Sequence, residues 1–173
     1  MRFGAEKMRI ELLSKKEKKT FIEQLEVFGI EKLPFTLVRT GKERIRAFSG
    51  DWDNEQIMDF WKSFHVEGVG LYLGKEMISK SGVRKARLSV DGMHTLKDQI
   101  SKQIIQLTEE QAAEWFRGRD VNLNDEQSEE AKDFEGFIAV KFEDDFIGTA
   151  NISADKKILY SFVPKERRIR DNT

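Results

Sequence analysis

The chain contains no cysteine, and that absence removes disulfides, thiolate metal sites and cysteine nucleophiles together. Histidine is almost as scarce: His65 and His94 are the only two, which excludes a histidine-rich metal centre. No apolar run approaches the roughly 20 residues that a bilayer-spanning helix requires. The opening MRFGAEKMRIELL is interrupted by charge too often for a secretory leader, so no membrane partner and a cytoplasmic location are expected. An excess of either charge is missing too. Thirty Lys and Arg face 31 Asp and Glu, so no global basic field announces nucleic acid, and any such field must be local.

What the chain has is aromatic bulk and charge. Thirteen Phe and three Trp within a 39% hydrophobic composition supply a real core, and 173 residues make one compact domain or two small ones. LSKKEKKTFIEQLEVFGI predicts a helix. Ser14 and Glu17 have capping-box spacing, Phe21, Ile22, Leu25 and Phe28 form one apolar face, and Gly29 is the stop. Lys15, Lys16, Lys18 and Lys19 occupy its solvated first turns. PFTLVRTGKERIRAFSG predicts two alternating strands around Thr40-Gly41-Lys42. A second helix, DNEQIMDFWKSF, carries Ile57, Phe60, Trp61 and Phe64 at helical spacing, with Asp53 and Gln56 as its cap. EGVGLYLGK reads as a strand, and its glycines are close-packing positions because no helix follows them to receive a pyrophosphate.

Residues 1–81 are thus expected to form a small α/β module, with the junction between about Ser79 and Lys85 in the polar segment MISKSGVRKAR. Residues 82–173 turn to β: ARLSV, QIIQL, the hairpin FIAVKFEDDFIGTANIS and the last strand KKILYSFVP. A helix at TEEQAAEWFRG, capped by Thr108 and Gln111, lies among them, so the fold class is α+β, with a compact β-barrel and short helices following the first module. The acidic stretch NLNDEQSEEAKDFEG is expected as a mobile surface loop.

Catalytic motifs are thin. Asp91 and His94 are the one pair that suggests a dyad, but no activated nucleophile accompanies them, and the carboxylates of Glu143, Asp144 and Asp145 fill a turn rather than a calcium loop. The expectation is a protein that is not an enzyme, with no cofactor and no metal. Charge geography says more. Lys75, Lys80, Arg84, Lys85 and Arg87 cluster in one segment, and Lys165, Arg167, Arg168 and Arg170 in another, while the acids gather elsewhere. If the first and last strands of the barrel meet, these segments merge into one phosphate-binding patch.

The C-terminal third, EWFRGRDVN through EGFIAVKFEDDFIGTANISADKKILYSFVPKERRI, resembles the PUA-like domain of the Fmu/Sun class of rRNA cytosine methyltransferases. The resemblance rests on Trp115, Phe116, Arg117 and Gly118 before a variable loop, the strand Gly136 to Phe142, Ile147-Gly148 and the terminal PKERR. Over the longer span, from FIEQLEVFG through LGK and RLSVDGMHTL, the chain is similar in order to the Nip family of ribosome-biogenesis factors, which place a pre-PUA module before a PUA domain. Both resemblances imply binding of structured RNA, rRNA or tRNA, in ribosome biogenesis or RNA modification, with assembly or modification proteins as further partners. Methyltransferase chemistry does not follow, because that class uses a catalytic cysteine and a separate cofactor-binding domain. The competing readings are a protein-interaction adaptor working through the aromatic N-terminal module, and a small-molecule enzyme using His94 and Asp91.

Overall fold

The computed structural model describes residues 8–64 and 66–170; His65 lies outside them. Two five-stranded sheets and five α-helices make up the described fold, which is α+β as expected. Ser14 opens α1 (Lys15–Leu25). Its hydroxyl accepts the Glu17 N–H at 3.3 Å, and the Glu17 carboxylate accepts the Ser14 N–H at 2.9 Å, so two otherwise orphaned donors are satisfied. Gly29 ends the following 3-10 turn (Glu26–Phe28) at φ 89°. The same reciprocal cap, Asp53 with Gln56, starts α2 (Asn54–Ser63).

The first sheet is antiparallel, in the order β1 (Ile10–Leu12), β2 (Thr36–Thr40), β3 (Arg44–Phe48), β4 (Leu71–Ile78), β5 (Arg84–Leu88). Strand alternation sends Leu37, Ile45, Ala47, Ala86 and Leu88 to one face, where Phe21 and Leu25 of α1 cover them. On the opposite face, α2 lays Ile57 and Trp61 over Ile10 and Val38. The expected junction is the turn of a hairpin: β5 pairs with β4 from Ile78–Arg84 to Gly74–Leu88, and Ser79 to Val83 are exposed between them. The first sheet therefore runs on to Leu88. The change of sheet comes after α3 (Val90–Leu96), which takes the Ser-Val end of the stretch expected as strand because Ser89 caps it, accepting the Gly92 N–H at 2.9 Å.

The second sheet has the order β6 (Ile104–Gln106), β8 (Phe137–Phe142), β9 (Asp145–Ile152), β10 (Ile158–Ser161), β7 (Val121–Asn122). It curls into a half-barrel. β6 runs parallel to β8, and the crossover between them holds α4 (Glu109–Phe116), β7 and α5 (Asp125–Glu130). The expected closure of the barrel by its first and last strands is corrected: β5, expected as the first of them, pairs with β4 in the first sheet, while β10 pairs with β9 and β7 in the second. The acidic stretch is likewise no mobile loop. Asn124 and Gln127 form a capping box at α5, and the buried Gln127 amide donates to the Gln106 carbonyl at 2.7 Å and to Gln111 at 2.8 Å. Among the described residues no helix is long and apolar enough to cross a membrane.

The two sheets share a core. Phe137, Ala139 and Phe146 of the second sheet pack into the cluster that holds Phe21, Leu25 and Phe28 of the first. The Thr149 hydroxyl donates to the Leu88 carbonyl at 3.2 Å, and the Ser101 N–H to that of Phe28 at 2.9 Å, across the same seam.

Under α1 lies a buried ion cluster. The Glu76 carboxylate, 4% exposed, accepts from Arg39 at 2.8 Å, Gln24 at 2.7 Å and Arg84 at 3.3 Å, and Arg39 reaches on to Glu17 at 3.2 Å. Burial works against the Arg39 charge, yet hydrogen bonds to Glu76 and Glu17 outweigh it and hold its pKa above the ordinary value. Glu76→Ala should cost about 3–5 kcal/mol in denaturant unfolding, because it strands Arg39 without its main counter-charge. A loss below about 1 kcal/mol would mean that solvent reaches the cluster freely. Limited proteolysis of native protein should nick Ser79–Val83 before the capped segment 122–133.

Candidate nucleic-acid interface

The basic segments expected from the sequence meet through side chains rather than strand pairing. Arg87 places its guanidinium carbon 4.3 Å from the centroid of the Phe162 ring, a cation–π contact from β5 to the chain leaving β10. Arg167 reaches Asp91 at 3.3 Å, joining the C-terminal segment to the start of α3. That segment is held in place. The Ile169 N–H donates to the Phe116 carbonyl at 2.8 Å, and the Arg168 Nε donates to the Val163 carbonyl at 3.0 Å while packing over Gly118.

The expected cations then divide. Lys75, Lys85 and Arg87 project from one face of the first sheet, away from the α1 core, as the β4–β5 register requires. Arg84 turns to the core side and is spent on Glu76. Lys80 stands in the exposed hairpin turn. Lys165, Arg167 and Arg170 are exposed beyond β10, whereas the Arg168 guanidinium is drawn back onto the fold.

Three residues not singled out from the sequence complete the face: Arg44, Arg46 and Tyr72. β3 and β4 slip register between Ile45–Gly74 and Arg46–Tyr72, leaving Leu73 as an extra residue. Leu73 and Gly74 both turn to the core side, so Tyr72 and Lys75 emerge together on the opposite one. Arg44, Lys75 and Arg87 are direct cross-strand neighbours in one row. Burial raises the Tyr72 pKa, while the charges of Arg87, Arg44 and Arg46 pull against that rise. Glu43, 3.9 Å from Lys75, is the nearest carboxylate partner in the row. Arg46 is partly committed, donating to the Gly70 carbonyl at 3.0 Å. The alternation of RIRAF displays Arg44 and Arg46 on one face, but their juxtaposition with Lys75 and Arg87 depends on a bulge that no residue type announces.

Among the described residues no group of three His, Cys, Asp or Glu is arranged to hold a metal ion. The His94 ring bonds the Phe146 carbonyl at 2.8 Å and fixes α3 to β9, while Asp91 engages Arg167, so the two side chains serve different partners.

Like charges directly opposite across strands repel, so this row weakens the isolated fold. Arg44→Gln should raise the unfolding free energy at low salt by a few tenths of a kcal/mol, about 0.5 at most, and the gain should fade as salt screens the row. A loss of stability would show that Arg44 has a structural role instead.

Residues 102–169 match the family model described as the methyltransferase RsmF PUA domain. The match covers less than half of the chain, spans β6 to the segment after β10, and makes the second unit PUA-like. It accords with the likeness of the C-terminal third to the Fmu/Sun class. No curated protein matches the chain.

Proposed function

We propose that the protein is a non-catalytic binder of structured RNA, of the rRNA or tRNA kind, working in ribosome biogenesis or RNA modification. The observation that carries this reading is the match of 102–169 to a PUA domain whose last residues are the cationic segment packed against the like-charged face of the first sheet. Fold resemblance implies a PUA domain's affinity for RNA, and the charge row supports the first sheet as the surface that would hold it. Phosphates would sit over Arg44, Lys75, Lys85 and Arg87 and continue to Lys165, Arg167 and Arg170. Tyr72 is an aromatic contact within that field. Recognition of this sort reads backbone and shape before base sequence. It calls for no cofactor and no metal.

The order of an α/β unit before a PUA-like unit supports the likeness to the Nip family, and a place among ribosome-assembly or RNA-modification proteins belongs to the same proposal. We take the first unit to extend through β5 and the second to begin near residue 102.

Mobility shift of a tRNA transcript and of a base-paired rRNA stem, over a salt series, tests the reading. Arg44→Ala with Lys85→Ala should weaken binding and flatten the log K–log salt slope by up to about two, one for each phosphate contact removed. Arg168 is a poor choice for this test because its side chain holds the Val163 carbonyl. His94→Ala should leave the affinity nearly unchanged. Unaltered affinity and slope in the double variant, with the fold intact, would remove the sheet face from the interface; a turnover on RNA that disappears with His94→Ala would overturn the non-catalytic reading.

A further inference from the structure

A chain of four aromatic rings crosses the opposite end of the first sheet. Phe48 of β3 lies 5.7 Å from Trp52, Trp52 lies 5.2 Å from Phe60 of α2, and Phe60 lies 5.0 Å from Phe64, centroid to centroid. Phe48 and Phe60 pack on the core beneath α2. The other two rings do not: Trp52 is 43% exposed and Phe64 57%. Helical geometry explains the display. Ile57 and Trp61 define the buried direction of α2, Phe60 lies to one flank of it, and Phe64, the extended cap residue whose N–H donates to the Phe60 carbonyl, sets its ring beside Phe60. Core formation would be served by Phe60 alone. Exposing a large indole and a phenyl ring in contact with the same ladder is the arrangement of a surface that waits for an apolar partner.

The charges around the ladder say which partner. From residue 50 to residue 68 there are five carboxylates, Asp51, Asp53, Glu55, Asp59 and Glu67, and one lysine, Lys62, which lies 3.9 Å from Asp59. Asp51 and Asp53 flank Trp52 in sequence, and all five carboxylates are on exposed residues. A polyanion is repelled by such a rim. Cationic side chains around apolar anchors complement it, the anchors meeting the rings and the cations the carboxylates.

We propose that the ladder of Phe48, Trp52, Phe60 and Phe64 is a docking site for a basic amphipathic segment of a partner protein. The ladder shares a sheet face with the row of Arg44, Lys75 and Arg87 but lies at its other end among carboxylates, with Arg46, packed over Gly68, at the border, and the proposal does not depend on the RNA reading. Trp52 and Phe64 are the anchors by which the partner is held.

The test is calorimetric titration of the full chain with a synthetic amphipathic peptide carrying leucine and phenylalanine on one face and lysine on the other. A peptide with glutamate in place of lysine, and single-stranded oligouridylate, serve as the other two probes. The lysine peptide should bind at least about tenfold more tightly than the glutamate peptide. Trp52→Ala with Phe64→Ala should weaken it at least about tenfold. Asp51→Lys with Asp59→Lys, which leaves every ring in place, should shift the preference towards the glutamate peptide; this variant carries the test if removing the rings unfolds the chain. Absence of lysine-peptide binding, equal binding of both peptides, or binding indifferent to both variants overturns the proposal. So does oligouridylate binding that the ring variant abolishes while the lysine peptide fails to bind, since the ladder would then be a stacking site for unpaired bases.

Discussion

Leu73 is one residue more than the pairing of β3 with β4 can hold, and the way the sheet absorbs it sets much of the molecule. The bulge turns Leu73 and Gly74 inward together. It leaves the Leu73 carbonyl facing α3, where it accepts the Ser89 N–H at 2.9 Å and where the backbone at Gly92 approaches so closely that a Cβ there would fall 2.1 Å from it. Gly74 in turn faces the β5 backbone, a Cβ on it falling 2.3 Å from the Arg87 carbonyl. Helix α3 leads out of the first sheet and into the second, so this contact ties the crossover between the sheets to β4. The same extra residue brings Tyr72 and Lys75 to one face.

Charge on the first sheet is sorted by that geometry into two regimes. On the core side Arg39, Arg84 and Glu76 neutralise one another under α1, where a missing partner leaves a charge buried without compensation. On the other side Arg44, Lys75 and Arg87 stand in a row, with Glu43 3.9 Å from Lys75. A chain that gathers Arg39, Arg84 and Glu76 into one compensated cluster and leaves Arg44, Lys75 and Arg87 side by side tolerates repulsion that one substitution would relieve. The RNA proposed as ligand would relieve that repulsion, since an anion placed over the row offsets its charge.

The sequence carried the local structure well because local structure is written in adjacent residues. Ser14 with Glu17, Asp53 with Gln56 and Thr108 with Gln111 are capping boxes in the fold as in the pattern, and the turns at Gly41 and at Glu143–Asp145 fall where expected. What was not legible depends on registers and distant partners. The short strand β1 has only three residues, too few for a period. The pairing of β6 with β8 is parallel and spans a long crossover. The acidic stretch read as loop because its composition is polar, yet the buried Gln127, bonded to Gln106 and Gln111, and the buried Ala131, with Leu123 and Phe134 packed on the second core, fix it. For the site the pattern was the same. Lys75, Lys85 and Arg87 were visible as a charge run, but Arg84 within that run is consumed by a carboxylate eight residues away, and the Arg44 contribution needed the bulge.

The shared core gives the cationic face its most useful property. Because Phe137 and Phe146 pack with Phe21 and Phe28, the first sheet and the C-terminal segment do not move as separate bodies without opening apolar surface. Arg87 on Phe162 and Arg167 on Asp91 add two lateral ties. The cations on both sides of the seam are therefore set at fixed spacings before any ligand arrives, and binding need not meet the entropy of assembling them. Structured RNA offers phosphates at spacings set by its own helix, and a rigid array of cations can match that geometry without reading a base. The ring ladder lies on the same sheet face beyond Arg46, where the charges around it change sign, so one face carries two chemically different ends.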